Sequence, residues 1–340
     1  MSFHMNSIYK SINNFDKYSN VPSRLIKGDE NILSSVDITI VMPIYNHHKY
    51  LKRAIESVIK QGTSRKVAIL IVDNDSEQIY GNERVINSID DKRIVYYRND
   101  VNIGAAGNWN RCIELCKSKF FTYLHDDDML KEDAVESLFE IKRLSNADFV
   151  FSCFDKVDED GRLVTIDNEV LPAYRNICLE HMLIENYCHT GEAVLFDREL
   201  MLQLGGFSEE YKPCFDYALF TRIVYEFKAV KYLKPILSYR IAENDTLSCY
   251  KEIPIMDDFI RKCIIEKLNY PIKLMLKYNK VVLKNQIYMI NYVFGGHNNE
   301  QYDCVNFFER ILLSIMNRVI KYIASCKSRI CFILPKDTTK

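Results

Sequence analysis

The sequence predicts an α/β fold with a mostly parallel sheet, and two observations support this prediction. Strand-like and helix-like segments alternate between residues 37 and 158, the pattern of proteins in which helices cover a parallel sheet. Three of the strand-like segments run directly into polar residues, as expected where the carboxyl ends of parallel strands meet at one rim. The chain has 340 residues, of which 48% are hydrophobic, so it could form one large domain or two smaller ones.

The first part of this pattern comes from three segments. Residues 37–46 contain a short β-branched run that stops at Pro43, which predicts a buried strand followed by a turn. Residues 48–61 carry apolar side chains at helical spacing, and Gly62 ends that helix. Residues 66–76 predict a second buried strand, which ends in acids and amides.

The pattern then continues through five more segments. Residues 93–100 predict a third strand, and residues 102–118 predict a glycine-bearing turn followed by a helix. Residues 119–128 predict a fourth strand that ends in three consecutive aspartates. Residues 131–144 predict a helix, and residues 147–158 predict a further strand.

Charge is distributed unevenly along the chain. The overall formal charge is −1, which gives no indication of nucleic-acid binding. Residues 1–250 hold 30 Lys and Arg against 38 Asp and Glu, whereas residues 251–340 hold 15 against 8, a net charge of +7. We therefore expect different partners for an acidic body and a basic tail. The expected organisation is an N-terminal extension (1–36), a main domain (37–250) and a helical, basic C-terminal region (251–340).

Residues 306–324 predict an amphipathic helix in the basic region. One face carries Phe308, Ile311, Leu312, Ile315, Val319, Tyr322 and Ile323. The other face carries Asn317, Arg318 and Lys321. Two interpretations stay open: the apolar face packs on the body of the protein, or the helix rests on anionic lipid.

The sequence indicates a cytoplasmic protein. It has eleven cysteines without a C-x-x-C pair and seven histidines without a zinc-binding pattern, so we expect free thiols in a reducing compartment. The first residues contain no apolar run of signal-peptide length, and no segment approaches the roughly 20 apolar residues of a membrane span. Peripheral binding to the inner face of the cell membrane stays compatible with this expectation.

Six segments resemble, in the same order, the motifs of one enzyme family. They are TIVMPIYN, ILIVDNDS, NIGAAGNWN, FTYLHDDDML, GGFSEEYKPCFDYALFTRI and YRIAENDTLS. Together they resemble the inverting family 2 glycosyltransferases, over roughly residues 37–250. The resemblance implies a GT-A fold, in which a mostly parallel nucleotide-binding sheet is flanked by helices, with a helical C-terminal extension here.

The sequence departs from the family motifs at four positions. Asn74 replaces the second Asp of V-D-D-G-S, and His125 stands at the first position of D-x-D. Phe215 replaces the Glu of the E-D pair, and Ala242 replaces the His of Y-R-x-H.

Asp126, Asp127 and Asp128 repel one another unless water solvates them on a turn or a cation binds them. The resemblance favours a divalent metal, Mn²⁺ or Mg²⁺, which would offset the charge gained by a departing nucleoside diphosphate. It implies that Asp127 is the likeliest direct metal ligand, that Asp128 also belongs to the metal site, and that Asp126 lies beside them with the nucleotide.

Asp216 matches the catalytic Asp of the family, which removes the proton from the acceptor hydroxyl as general base. The simpler alternative is that Asp216 caps the helix that begins at the following residues.

By the same resemblance, two further groups would bind the nucleotide. The base and ribose would contact Pro43, Tyr45, Asn46, Asp73 and Asn74, whose alternative role is turn and strand-end structure. The pocket nearby would be shaped by Asn102, Gly104 and Asn108.

Arg111 could contact phosphate or lie solvated on a helix surface. Glu192, Arg222 and Arg240 could orient the substrates or serve the structure, and Trp109 is expected only to pack.

The sequence therefore predicts a metal-dependent inverting glycosyltransferase that uses a nucleotide-diphosphate sugar. The expected donor is a UDP-sugar. A saccharide acceptor, lipid-linked at the inner membrane face, would place it in O-antigen or capsule synthesis. One alternative is a catalytically inactive module that binds nucleotide sugars or glycans. A sugar nucleotidyltransferase is disfavoured, because PIYNHHKY after the first strand lacks a glycine-rich phosphate loop. A dehydrogenase is excluded for the same reason.

Overall fold

The computed structural model describes residues 7–46, 49–75, 79–165, 174–241, 249, 251–294 and 305–329. The strands in this part of the chain are β1 (Ser23–Lys27), β2 (Ile38–Ile44), β3 (Val67–Asp73), β4 (Ile94–Asn99), β5 (Phe120–Tyr123), β6 (Met129–Leu130), β7 (Phe149–Val157), β8 (Leu163–Thr165), β9 (Tyr174–Asn176), β10 (Phe196–Asp197) and β11 (Ala229–Arg240). The α-helices are α1 (Leu51–Ile59), α2 (Ile79–Asn87), α3 (Gly104–Leu115), α4 (Ala134–Ser145), α5 (Leu179–Ile184), α6 (Arg198–Leu204), α7 (Phe215–Glu226), α8 (Ile253–Lys267), α9 (Ile272–Phe294) and α10 (Phe307–Arg329).

The main sheet has the strand order β1-β4-β3-β2-β5-β10. Its four inner strands are parallel: β2 pairs with β3 and β5, and β3 pairs with β4. The edge strands β1 and β10 are antiparallel to their neighbours. The α/β prediction with a mostly parallel sheet is confirmed.

Continuous apolar sequence explains why the inner strands lie in the middle of the protein. Successive side chains of a strand point to opposite faces, so a sheet covered on both faces needs apolar residues at every position. Val41 and Leu70 pack in the core on one face of the main sheet. Ile40 and Ile69 pack in the core on the other face. All seven residues of β3 are buried.

A second sheet has the strand order β6-β11-β7-β8, with β9 paired to β11. β7 and β11 run parallel, from the pair Phe149 and Ala229 to the pair Val157 and Arg240. The predicted strand 147–158 therefore exists, but it belongs to this second sheet. The sequence did not reveal β11, because Pro235 interrupts it; the register with β7 shifts on either side of Pro235.

Two other sequence predictions are corrected. A helix, α2, separates β3 from β4, where we expected two strands in succession. The predicted strand 119–128 is shorter than expected, because β5 has four residues and ends at Tyr123, and the acidic residues follow in a turn. Three adjacent carboxylates find separate partners more easily in a turn than in a strand, whose side chains alternate between two faces.

Both terminal regions pack on the main body. β1 forms the edge of the main sheet, and Ile8, in a 3₁₀ helix at residues 7–9, is buried in the core next to α7 and α8. After β11, the described chain is helical, as predicted, and α10 contacts α5 and α9. Whether domain boundaries fall at residues 36 and 250 stays a prediction. No helix in the described ranges is long and apolar enough to cross a membrane.

Candidate active site

The carboxyl ends of the inner strands meet at one rim of the main sheet. In the strand register, Ile44 lies beside Asp73, and Asp73 lies beside Arg98. On the other side of β2, Val41 lies beside Tyr123, the last residue of β5. The segments that follow these strands therefore start close together, as the sequence predicted.

The residues after β2 offer partly accessible side chains at this rim. Pro43, Tyr45 and Asn46 are neither fully buried nor fully exposed. Asn46 has a φ of 55°, in the left-handed region that Asn adopts more readily than most residues, so the chain turns sharply here. His47 and His48 lie outside the described residues.

Asp73 is fully buried at the end of β3. Its Oδ2 atom accepts hydrogen bonds from Asn82 Nδ2 (3.0 Å) and from the Tyr96 hydroxyl (3.1 Å). Both donors come from elements that flank β3, so the carboxylate is held in one orientation at the rim. Burial is also the main reason that the pKa of Tyr96 is raised far above its usual value, with the Asp73 charge adding to it.

A network of side-chain amides ties the end of β3 to the start of α3. Asn74 Nδ2 donates to Asn102 Oδ1 (2.8 Å), and Asn74 Oδ1 accepts from Asn99 Nδ2 (3.1 Å). Asn99 Nδ2 also donates to Asn108 Oδ1, and Asn102 Oδ1 also accepts from the Gly104 amide. Gly104 has a φ of +74°, which favours glycine. The four predicted pocket residues of this group therefore lie together, with protein groups as hydrogen-bond partners.

Arg240, at the end of β11, holds the acidic turn in place. The Arg240 amide donates to Asp128 Oδ1 (2.6 Å), and Arg240 Nε donates to the carbonyl oxygen of Asp127 (2.8 Å). Arg240 Nη1 donates to the carbonyl oxygens of Asp158 and Glu159, and only 1% of the residue is exposed. The structure therefore gives Arg240 a supporting role. Residues 242–248, including Ala242 of the last motif, lie outside the described residues.

Three potential metal ligands come together beside this turn. One ligand atom each from His125, Asp128 and Glu192 lies within 4.8 Å of the others. Glu192 accepts a hydrogen bond from the His125 amide (2.7 Å), and its second oxygen lies 3.2 Å from His125 Nδ1. Thr190 donates a further hydrogen bond to Glu192.

Burial raises the pKa values of the two carboxyl groups of this cluster. Glu192 and Asp128 are each 1% exposed. Burial raises the pKa of Asp128, and the negative charge of Glu192 raises it further. Burial also raises the pKa of Glu192. Asp128 Oδ2 has no hydrogen-bond partner among the described residues. Two buried carboxyl groups in this arrangement need either a shared proton or a cation.

Asp216 lies in the first turn of α7. Parts of the residue are accessible, but its carboxyl group lies inside the protein, and burial raises its pKa to about 6. Nearby Asp257 adds to this rise, whereas the backbone amides and Asn186 Nδ2, 3.3 Å from Asp216 Oδ2, oppose it. Cys214, and not Asp216, occupies the N-cap position of α7. Asp216 is thus a weakly acidic carboxyl group in a largely desolvated site.

Aromatic packing joins the Asp216 side of the site to the acidic turn. The Trp109 ring lies 5.2 Å from the ring of His125 and 5.4 Å from the ring of Phe215. It also stacks on Tyr123 at 4.7 Å. Trp109 is therefore a packing residue, as the sequence indicated, and it brings the neighbours of Asp128 and Asp216 into one region.

Comparison with known proteins assigns the middle part of the chain to a family. A family model described as Glycosyl transferase family 2 matches residues 39–204, which include the rim, the amide network and the acidic turn. This region is a family 2 glycosyltransferase domain. Asp216 and Arg240 lie beyond the matched residues.

Curated glycosyltransferases match this domain over parts of their length. GlyG of Streptococcus pneumoniae serotype 4 is 32% identical over 125 residues, 36% of this chain and 41% of GlyG. A protein of Rickettsia conorii, named as an uncharacterised glycosyltransferase, is 29% identical over 192 residues, 55% of this chain and 31% of that protein. WcaA of Escherichia coli K12, named for colanic acid biosynthesis, is 35% identical over 91 residues, 27% of this chain and 32% of WcaA. The chain thus spans less than half the length of each.

Solved structures of other proteins share the fold. Residues 1–349 of Staphylococcus aureus TarS superpose with a TM-score of 0.52 at 14% identity, over 85% of this chain and 80% of that chain. The mannosyltransferase PcManGT of Pyrobaculum calidifontis superposes with a TM-score of 0.54 at 11% identity, over 85% of this chain and 83% of that chain. At these identities the likeness shows the fold alone, which is GT-A with added C-terminal helices.

Two arginines of the glycosyltransferase fold have structural roles that the sequence did not reveal. Arg111 donates to the carbonyl oxygens of Tyr18 and Val21 and to the Ser23 hydroxyl, so it is neither solvated nor directed at a phosphate. Arg222 donates to the carbonyl oxygens of Lys10 and Leu204. Both therefore fasten the N-terminal segment to the core. No motif could have revealed this, because most of these partners are backbone carbonyl groups, and those of the N-terminal segment are about 90 or more residues away in sequence.

Proposed function

We propose that the protein is a metal-dependent inverting glycosyltransferase that moves a sugar from a nucleotide-diphosphate sugar to a saccharide acceptor. The observation that carries this proposal is a carboxyl group of raised pKa, Asp216, joined through Trp109 packing to a partly buried acidic turn at the rim of a family 2 glycosyltransferase sheet. These are the two features that the reaction requires: a base for the acceptor and a site for the charge of the leaving group.

Asp216 would take the proton from the acceptor hydroxyl as that oxygen attacks the anomeric carbon. A base with a pKa of about 6 is ionised at neutral pH, and it holds a proton more strongly than an ordinary aspartate. Asn186 would keep the carboxylate oriented through its hydrogen bond to Oδ2. Attack opposite the departing diphosphate would invert the anomeric configuration.

A divalent cation fits the acidic turn. The donor set offers two buried carboxyl groups and an imidazole, and buried Asp128 Oδ2 lacks a hydrogen-bond partner among the described residues. Asp127 and Asp128 would hold the ion, with His125 and Glu192 beside them. The bound ion would supply positive charge for the departing diphosphate. Oxygen ligands suit Mg²⁺ and Mn²⁺, and the imidazole favours Mn²⁺ of the two.

The donor would lie along the carboxyl ends of β2 and β3. Tyr45 could stack on the base, while Asp73 and Asn46 would lie near the ribose. The amide network around Asn74 would support this pocket from behind, because its hydrogen bonds already join protein groups to one another. Among GT-A proteins, PcManGT was solved with GDP-Man and Mn²⁺, and TarS with UDP-GlcNAc at a TM-score of 0.50. We expect a UDP-sugar as the donor.

The acceptor would be a saccharide, lipid-linked, in the assembly of a surface polysaccharide such as O-antigen or capsule. The name of WcaA, a relative in colanic acid biosynthesis, supports this choice. A cytoplasmic location follows from the same proposal. The rival is a catalytically inactive module that binds nucleotide sugars or glycans, which His125, Phe215 and Ala242 favour because they replace family residues.

Thermal melting tests nucleotide and metal binding together. A ligand that binds only the folded protein raises the melting temperature. We expect one of UDP, GDP and TDP to stabilise the protein with Mn²⁺ or Mg²⁺ but not with EDTA, and Asp127→Ala to abolish this effect. Glu159→Ala, an exposed carboxylate on a neighbouring loop, is the matched control. Absence of stabilisation by every diphosphate and metal would contradict the proposal.

Donor hydrolysis separates an enzyme from the inactive module. With the donor sugar chosen by the diphosphate screen, the native protein should release nucleoside diphosphate slowly without acceptor, and Asp216→Asn should lower that rate. A module that only binds would show metal-dependent stabilisation and no hydrolysis in either form.

A further inference from the structure

The last helix of the described chain, α10, leaves an apolar stripe in solvent. Phe308, Ile311, Ile315, Val319 and Tyr322 follow one another at intervals of three or four residues, so they share one face. Each of them is between 41% and 80% exposed. We call these five residues the α10 stripe.

The α10 stripe is not the face by which the helix packs on the protein. Met316, Ile320 and Ala324 lie on another face, are buried, and contact the body where α10 meets α5 and α9. Of the apolar face expected from the sequence, only Leu312 and Ile323 are partly covered. The simpler expectation, that the apolar face packs on the body, therefore does not explain the stripe.

Polar contacts along α10 fix this orientation. Near its start, Glu309 pairs with Lys284 of α9 at 3.1 Å. At its middle, Asn317 Oδ1 accepts a hydrogen bond from the Tyr278 hydroxyl at 2.6 Å. Near its end, Lys327 pairs with buried Glu180 of α5. Rotation of the helix to bury the stripe would break all three contacts, so they favour the orientation that leaves the stripe exposed.

Positive charge accompanies the stripe. Arg310, Arg318 and Lys321 are exposed on the adjoining turns of the helix. The whole helix carries five Lys and Arg and a single acidic residue, Glu309, which already pairs with Lys284. A helix with an apolar stripe and a cationic polar face is complementary to an anionic bilayer, whose phosphates lie just outside its hydrocarbon. A second copy of the chain fits less well, because self-association would bring the same cations together.

We propose that α10 docks this protein on an anionic lipid surface, with the α10 stripe in the interface and Arg318 and Lys321 beside lipid phosphates. This docking is independent of sugar transfer. If the proposed function also holds, the same surface would bring the active site to a lipid-linked acceptor.

Vesicle co-sedimentation of the full chain tests the proposal. We expect binding to phosphatidylcholine vesicles that contain phosphatidylglycerol, and at least tenfold weaker binding for Ile315→Glu/Val319→Glu. Arg318→Glu/Lys321→Glu should weaken binding only when phosphatidylglycerol is present, because it removes the charge attraction alone. Leu163→Glu/Val164→Glu is the matched control, because these residues of β8 are apolar and comparably exposed, at 54% and 55%, and do not belong to α10.

The possible outcomes separate lipid docking from self-association and from misfolding of the variants. Unchanged melting temperatures would show that the variants fold, since all the substituted residues are exposed. Failure of the native protein to bind anionic vesicles at low salt would overturn the proposal. So would a loss of vesicle binding in the β8 control as large as the loss in Ile315→Glu/Val319→Glu. A native dimer in light scattering that Ile315→Glu/Val319→Glu converts to a monomer would also overturn it, because a second copy would then cover the stripe. Donor hydrolysis should be unaffected in every variant.

Discussion

Replacement of Asp216 by Asn should make the protein more stable and less active. The pKa of the Asp216 carboxyl rises from 3.8 to about 6 on folding, mainly because of burial. A shift of two units corresponds to about 3 kcal/mol, the upper limit of what keeping the ionised carboxylate inside the native site costs at high pH. An Asn side chain has nearly the same shape, carries no charge, and can still accept a hydrogen bond from Asn186.

The size of this stabilisation depends on pH. Below about pH 4 the carboxyl is protonated in the native protein and largely in the unfolded one, so Asp216→Asn should change the free energy of unfolding little. Between pH 4 and 6 the unfolded chain loses its proton first, and stability of the native protein falls. Above pH 6 the gain from Asp216→Asn should reach its full value, roughly 1–3 kcal/mol after allowance for partial solvation.

Urea unfolding between pH 3 and pH 8 measures this effect, with Asp90→Asn as a control at an exposed aspartate. Sugar transfer by the native protein should rise with pH through about 6 and then level off, because the base must be ionised. Asp216→Asn should lower the rate roughly 10²–10⁴-fold. A stability change of equal size at pH 3 and pH 8, or a loss of stability at pH 8, would refute the assignment of a buried, weakly acidic carboxyl group.

Three further substitutions test the supporting contacts. Asn74→Ala should lower the free energy of unfolding by about 1–3 kcal/mol in urea, because the buried backbone amide of Ile103 loses its acceptor and Asn99 Nδ2 loses one of its two acceptors; a neutral result would contradict the amide network. Arg240→Met should lower the free energy of unfolding by about 2–3 kcal/mol, since three partly buried carbonyl oxygens lose their donor. Arg111→Met should speed hydrogen exchange of residues 18–23, and unchanged exchange there would show that the segment is held by other contacts.

Sequence periodicity predicted the inner sheet well, because its strands are buried on both faces. β2 and β3 are continuous apolar runs, which few other structures produce. The two edge strands of this sheet were harder to predict from the sequence. β1 is a five-residue strand with three exposed residues, and β10 has two residues, so neither carries a strong pattern. These strands exist because the main sheet offers a pairing partner, and a partner distant in sequence leaves no local signal.

The same distinction applies to the site. The polar strand ends could be predicted, because parallel strands bring their carboxyl ends together. The partners that orient these groups could not. Arg240 reaches the acidic turn from a strand more than a hundred residues later, and Glu192 reaches His125 from a loop before β10. The roles of Asp73, Asp127 and Asp216 stay predictions until ligand binding is measured.

His125 and Glu192 are best understood as a pair, and this gives a last prediction. His125 occupies the first position of the D-x-D motif, where the family has an acid, and Glu192 places a carboxylate directly against it. His125→Asp would add a third carboxyl group to two whose pKa values burial already raises, so it should destabilise the protein at pH 8. Glu192→Gln, combined with His125→Asp, should restore most of the free energy of unfolding that His125→Asp removes.

A double-mutant cycle at pH 8 measures the coupling, which we expect at roughly 1–3 kcal/mol. The cycle should be repeated with Mn²⁺, because a cation bound by the cluster would offset the added charge and reduce the coupling. If the two substitutions are additive with and without Mn²⁺, then Glu192 does not act through His125. The histidine would then be an independent replacement in the motif, and the metal would have to rely on Asp127 and Asp128 alone.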